Sequence, residues 1–73
     1  MAQNVAGEPA RLLRRRQVEA LIGRGRSSIY EMIAAGEFPK PIRVGRRAVR
    51  WLAHEVDGWI RARVEASRAG GAR

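Results

Sequence analysis

The sequence predicts a mostly helical fold with one small β-hairpin, in the order helix, turn, helix, hairpin, helix. Three observations predict it. Apolar residues recur at i, i+3, i+4 in two short stretches separated by glycines. The period then shortens to 2 on either side of a glycine–arginine turn. It lengthens again in a last stretch that holds Val56, Trp59, Ile60 and Val64. A short helix, a tight glycine-containing turn and a second helix make a helix-turn-helix. A hairpin directly after it is a wing, so the expected architecture is a winged helix-turn-helix.

Taken in order, Leu12 and Leu13 form a short apolar lead-in. Val18, Leu21 and Ile22 then define one face of a first helix over about Arg15 to Ile22. Gly23 should stop it, because glycine accepts the positive φ of a helix C-terminus. Ile29, Met32 and Ile33 repeat the stripe in a second helix. Gly25 stands at its N-cap position, without the side-chain acceptor that Ser or Asp would bring. Ser27 and Ser28 occupy the first turn. Gly36 ends the helix, and Phe38-Pro39-Lys40-Pro41 imposes an extended connection.

Two three-residue strands follow, around Gly45-Arg46-Arg47-Ala48. Ile42, Val44, Val49 and Trp51 are apolar, and Arg43 and Arg50 alternate with them. Strands this short do not stand alone in water. They must pack on the helices, with Trp51 as the anchor. The third helix is expected over about Ala53 to Ala66, with Asp57 and Arg61 placed to pair at i, i+4. Gly58 in its interior costs about 1 kcal/mol relative to Ala, which a close approach of another element would explain. The domain is therefore read as residues 11–66, flanked by loose tails at 1–10 and 67–73.

Charge and composition narrow the function. The 73 residues carry 15 Lys+Arg against 7 Asp+Glu, a net charge of +8. All the basic residues but Lys40 are Arg. This balance favours a polyanionic partner. There is no Cys and His54 is the one His, so neither a disulfide nor a metal site is expected. His54 reads as an exposed residue at a helix start. No phosphate-binding glycine loop, HExxH or nucleophile–base set is present, so the chain is read as a non-enzyme without a cofactor. No apolar run approaches the roughly 18 residues of a membrane span, and Met1 to Glu8 does not read as a signal peptide. A cytoplasmic setting fits, with no membrane partner.

The arginines cluster. Arg26, Ser27 and Ser28 open the second helix, where free N–H groups favour an anion. Arg26 can bind a phosphate or fork to guanine O6 and N7. Tyr30, one turn on, can offer its hydroxyl to a phosphate or its ring to a thymine methyl. Arg43, Arg46, Arg47 and Arg50 make the hairpin strongly basic, and Arg suits a narrow minor groove. A third group, Arg14, Arg15 and Arg16, opposes the dipole of the first helix, a local cost that hints at binding. The plainer readings are helix capping for the serines, half-buried packing for Tyr30, core for both tryptophans, and compositional bias for any single Arg. Four Arg and no acid within residues 43–50 exceed what such bias requires. Double-stranded DNA is the expected partner. A protein-interaction adaptor is the alternative, and RNA fits less well because only Tyr30 is placed for stacking.

The motifs Arg26-Ser27-Ser28-Ile29-Tyr30, Phe38-Pro39-Lys40-Pro41 and Arg47-Ala48-Val49-Arg50-Trp51 at these spacings carry a resemblance. So do Leu12-Leu13-Arg14, Val18, Leu21, Gly23, Gly36, Arg43, Gly45 and Glu55-Val56 with Trp59-Ile60. Together they resemble the AlpA family of phage-type transcriptional regulators, small relatives of the excisionases with a MerR-like winged helix-turn-helix. The resemblance implies a bacterial or prophage DNA-binding protein at the nucleoid, either a regulator or an excisionase (recombination directionality factor). It implies recognition-helix roles for Arg26, Ser27, Ser28 and Tyr30 and wing roles for Arg46, Arg47 and Arg50. An integrase, or neighbouring copies on DNA, would be the further partners. No small-molecule effector is expected, since the long dimerisation helix and effector domain of larger relatives find no counterpart. Three residues depart from the family's habit. Glu31 stands where a basic residue is common, Gly25 where Ser is frequent, and Arg24 where an apolar residue is frequent, which makes Arg24 read as an extra surface charge.

Overall fold

The computed structural model describes residues 10–69. Of the tails expected at residues 1–10 and 67–73, residues 1–9 and 70–73 lie outside the described residues. Three helices pack on one face of a three-stranded antiparallel sheet. The elements are β1 (Leu12–Leu13), α1 (Arg15–Ile22), α2 (Arg26–Ala34), β2 (Ile42–Arg43), β3 (Val49–Leu52) and α3 (Ala53–Ala69). The winged helix-turn-helix is the architecture observed.

The helix boundaries follow the local chemistry. At the start of α1, Arg14 holds the N-cap position, and its backbone N–H donates to Gln17 Oε1 at 2.8 Å. Only this returning half of a capping box is open to it, because a guanidinium has no acceptor. Gly23 takes φ 69°, and its N–H donates to Glu19 O at 2.8 Å, ending the helix in the left-handed conformation that glycine tolerates. Gly36 does the same after α2, with φ 76°. Gly25 is the N-cap of α2 and forms no side-chain cap bond.

The lead-in is itself a strand. Leu12 pairs with Leu52 and Leu13 with Trp51, so β1 covers one edge of β3 while β2 covers the other. The backbone N–H of Ala53 donates to Arg11 O at 2.8 Å and carries the pairing one step further. Two residues were too few to show a period in the sequence. The third strand gives the hairpin the support that two short strands lack.

Every element except β2 contributes to the core. Leu13, Val18, Ile29, Met32, Phe38, Trp51 and Val56 are buried. Trp51 is the anchor, at 0 % exposure. Its indole Nε1 donates to Pro39 O at 2.9 Å, which ties the proline-rich connection under the sheet. Each such side chain stabilises by about 1.5–3 kcal/mol, and the indole N–H needs its acceptor once buried. Trp59 is half-buried against Phe38, edge to face at 4.9 Å, and donates to Glu37 O at 2.7 Å. Two expected core residues sit elsewhere. Leu21 is exposed and lines a shallow groove with Leu13, His54, Val56 and Ile60 between α1 and α3. The inward side of α1 is the Val18 and Ile22 side, and Leu21 lies at its margin. Val64 is exposed because the body ends at Ile60.

α3 runs to Ala69, three residues past its expected end at Ala66. Arg61 Nε meets Asp57 Oδ2 at 3.1 Å on its exposed face, and His54 is exposed in its first turn. No element approaches Gly58: a Cβ there would meet nothing within 4 Å. The close contact expected to explain this glycine is absent. No helix among the described residues is long and apolar enough to cross a membrane.

Candidate nucleic-acid interface

Arg26 is the first residue of α2, and the stripe Ile29, Met32, Ile33 faces the core, so the helix is fixed by burial. Arg26 and Ser27 are therefore exposed at its opening turn, and Ser28 is half-buried behind them. Ser28 Oγ accepts a hydrogen bond from Arg24 Nη1 at 2.7 Å. Arg24 thus folds from the inter-helix turn onto the first turn of α2. Sequence reasoning assigned it only a surface charge. The i, i+4 spacing to Ser28 spans a helix N-terminus, and Arg24 lies outside α2, so helical geometry alone does not bring the two together.

Tyr30 holds a double position. It is 39 % exposed, yet its ring lies edge to face on Trp51, with centroids 6.2 Å apart. The pair brings α2 against β3. α2 and the second strand of the wing therefore adjoin through an aromatic contact, one turn into the helix.

The wing register separates its arginines. Ile42 pairs with Arg50 and Arg43 with Val49, and Val44 N donates to Ala48 O at 2.9 Å. The tip thus has three residues, Gly45 to Arg47, rather than the four expected through Ala48. Side chains of paired residues share a face, and those of adjacent residues oppose. Arg43 shares the face of Val49 and Trp51, on which the helices pack. Arg50 shares the outer face with Ile42, Leu12 and Leu52. A tip longer by one residue would have gathered Ile42 with Trp51 and Arg43 with Arg50. Consistently, Ile42 and Val44 are exposed at 39 % and 45 %. Arg50 is half-buried, and its Nη1 donates to Val49 O at 2.8 Å. Arg46 and Arg47 are exposed at the tip.

Arg15 differs from the other candidates. Its Nε meets Glu19 Oε2 at 2.9 Å one turn on, and both side chains are partly covered. That pairing offsets the unfavourable position of Arg15 at the start of the helix. Its neighbours Arg14 and Arg16 are exposed. Among the described residues the ion pairs are Arg15–Glu19 and Arg61–Asp57. Arg24, Arg26, Arg43, Arg46, Arg47 and Arg50 have no carboxylate partner there, and Glu31 has no arginine.

Residues 11–64 match the family model described as Prophage CP4-57 regulatory protein (AlpA). The chain belongs to the AlpA family. It is also similar to "Uncharacterized protein ORF88" of Enterobacteria phage P4, with 42 % identity over 60 residues. That alignment spans 82 % of this chain and 68 % of the phage protein. No solved structure matches it. The AlpA match runs from β1 well into α3, so it includes the turn, α2 and the wing. AlpA is a family of phage regulatory proteins, and regulation rather than catalysis is what the match supports.

Proposed function

We propose that this AlpA-family chain is a sequence-specific regulator of transcription that binds double-stranded DNA. The recognition helix, residues 26–35, enters the major groove. Arg26, Ser27 and Tyr30 face bases or flanking phosphates from it, and Ser28 supports the same opening turn from behind. The Arg-rich wing, residues 43–50, lies on the backbone or in the minor groove through Arg43, Arg46 and Arg47, with Arg50 and Arg15 at its margins. The observation that carries the reading is the set of exposed arginines without carboxylate partners on two elements that adjoin at Tyr30 and Trp51. Arginines held apart from acids keep their charge available for phosphates, and Arg is the residue that forks to guanine. An excisionase role would use the same contacts. The family's description as regulatory supports regulation, in the bacterial cytoplasm where its DNA resides.

Fluorescence anisotropy tests this. Labelled duplexes from the region upstream of the chain's own coding sequence are compared with scrambled duplexes of equal composition. About four to six phosphate contacts give a log–log salt slope near −4 to −5. Equal affinity for both duplexes would overturn sequence specificity. Arg26→Ala should relax base preference, whereas Arg47→Ala should weaken all duplexes alike. A uniform loss from Arg26→Ala would refute its assignment to base reading.

A further inference from the structure

We propose that Arg24, in the turn between α1 and α2, is a DNA phosphate contact, and that Ser28 acts through it as a positioning residue. The proposal rests on the DNA-binding reading above and adds a residue to it. Both ends of Arg24 are held. Its backbone N–H donates to Glu19 O at 3.3 Å, beside the bond from Gly23 to the same carbonyl, so the turn is tied to α1. Its guanidinium donates to Ser28 Oγ at 2.7 Å, so the side chain is tied to α2. A guanidinium has five N–H donors. One is used here, and no carboxylate pairs with the rest among the described residues.

This arrangement serves binding better than stability. An exposed neutral–cation bond between two surface groups contributes little to folding. It does restrict a long side chain that would otherwise lose its rotamer freedom on meeting a ligand, which is the cost that preorganisation removes. The remaining donors keep the fixed fork that suits a phosphate. The position also fits. Arg24 is exposed next to exposed Arg26 and Ser27, so a backbone that meets the opening turn of α2 passes Arg24 first. Ser28 is half-buried and its oxygen is already engaged, so its hydroxyl works mainly by aiming Arg24.

A double-mutant cycle on the full chain, read by anisotropy with an upstream duplex and with a scrambled one, tests the assignment. Thermal unfolding is followed in parallel to confirm that each variant is folded. Arg24→Ala should weaken both duplexes alike and make the salt slope shallower by about one. Between 50 and 200 mM salt the loss of affinity should then be roughly threefold smaller than for the wild type. Ser28→Ala should weaken binding in the wild type, leave the salt slope unchanged, and have no effect in the Arg24→Ala background. Ser28→Thr, which keeps the hydroxyl, should restore binding. An unchanged affinity and slope for Arg24→Ala would overturn the phosphate contact. Equal costs of Ser28→Ala in both backgrounds would overturn the positioning role. If the wild type bound neither duplex, the DNA-binding reading itself would fall, and this assignment with it.

Discussion

Ile42 stands directly opposite Arg50 across the wing, on the face turned away from the helices. Its neighbour Arg43 stands opposite Val49, on the face that carries Trp51 and meets Tyr30. Two arginines that look equivalent along the chain therefore leave the sheet on opposite sides. If α2 enters a groove, Arg43 points toward the same duplex and Arg50 away from it. Arg43→Ala should weaken DNA binding more than Arg50→Ala, in anisotropy titrations at one salt concentration. The reverse order would mean that the wing approaches DNA with its outer face.

Trp51 should dominate stability. It is fully buried and closes three contacts at once: Leu13 across the strands, Tyr30 at its edge and Pro39 at its indole N–H. Trp51→Ala should cost about 3–5 kcal/mol. The whole net stability of a core this size is about the same. Circular dichroism at 25 °C should show that variant largely unfolded. Trp51→Phe keeps most of the apolar contact but strands the Pro39 carbonyl, a loss of about 1–3 kcal/mol. It should stay folded with a lowered denaturation midpoint.

Two glycines should respond with opposite signs. Gly58 lies inside α3 with open space around it, so Gly58→Ala should stabilise by about 1 kcal/mol. Gly23 has φ 69°, where an alanine Cβ is strained. Gly23→Ala should destabilise by about 1 kcal/mol or more. Urea midpoints on the two variants check both. A falling midpoint for Gly58→Ala would reveal a contact that the helix makes at this glycine.

Under the proposed function, Tyr30 links stability to recognition. Its ring contact with Trp51 contributes about 0.5–1.5 kcal/mol beyond burial. Tyr30→Phe should leave thermal unfolding nearly unchanged and weaken DNA binding, because only the hydroxyl is lost. Tyr30→Ala should lower both. If Tyr30→Phe bound DNA like the wild type, the ring alone would carry the role.

Much of this fold was legible in the sequence because burial and glycine act locally. The stripe Val18, Leu21, Ile22 with Gly23 behind it marks α1 at its observed bounds, and Gly25 and Gly36 bracket α2 closely. Trp51 as anchor and the Asp57–Arg61 pair were readable from spacing alone. What was not readable depends on non-local registration. Leu12 and Leu13 become a strand only because β3 is there to pair with them. The faces of Arg43 and Arg50 depend on whether Ala48 belongs to the tip or to the strand, a one-residue question that alternation leaves open. For the candidate interface, the sequence showed where arginines concentrate. It did not show that Arg15 is paired to Glu19 and Arg24 to Ser28, because both depend on rotamers.

Beyond Ile60, every residue of α3 from Arg61 to Ala69 is exposed. At about 1.5 Å per residue this is an overhang of roughly 13 Å. A helical segment without a buried face relies on its own hydrogen bonds and on pairs such as Arg63 over Trp59. Amide protection along α3 should therefore fall away in a gradient from Val56 outward. A fluorophore attached near Arg68 would report that gradient directly, without touching α2 or the wing.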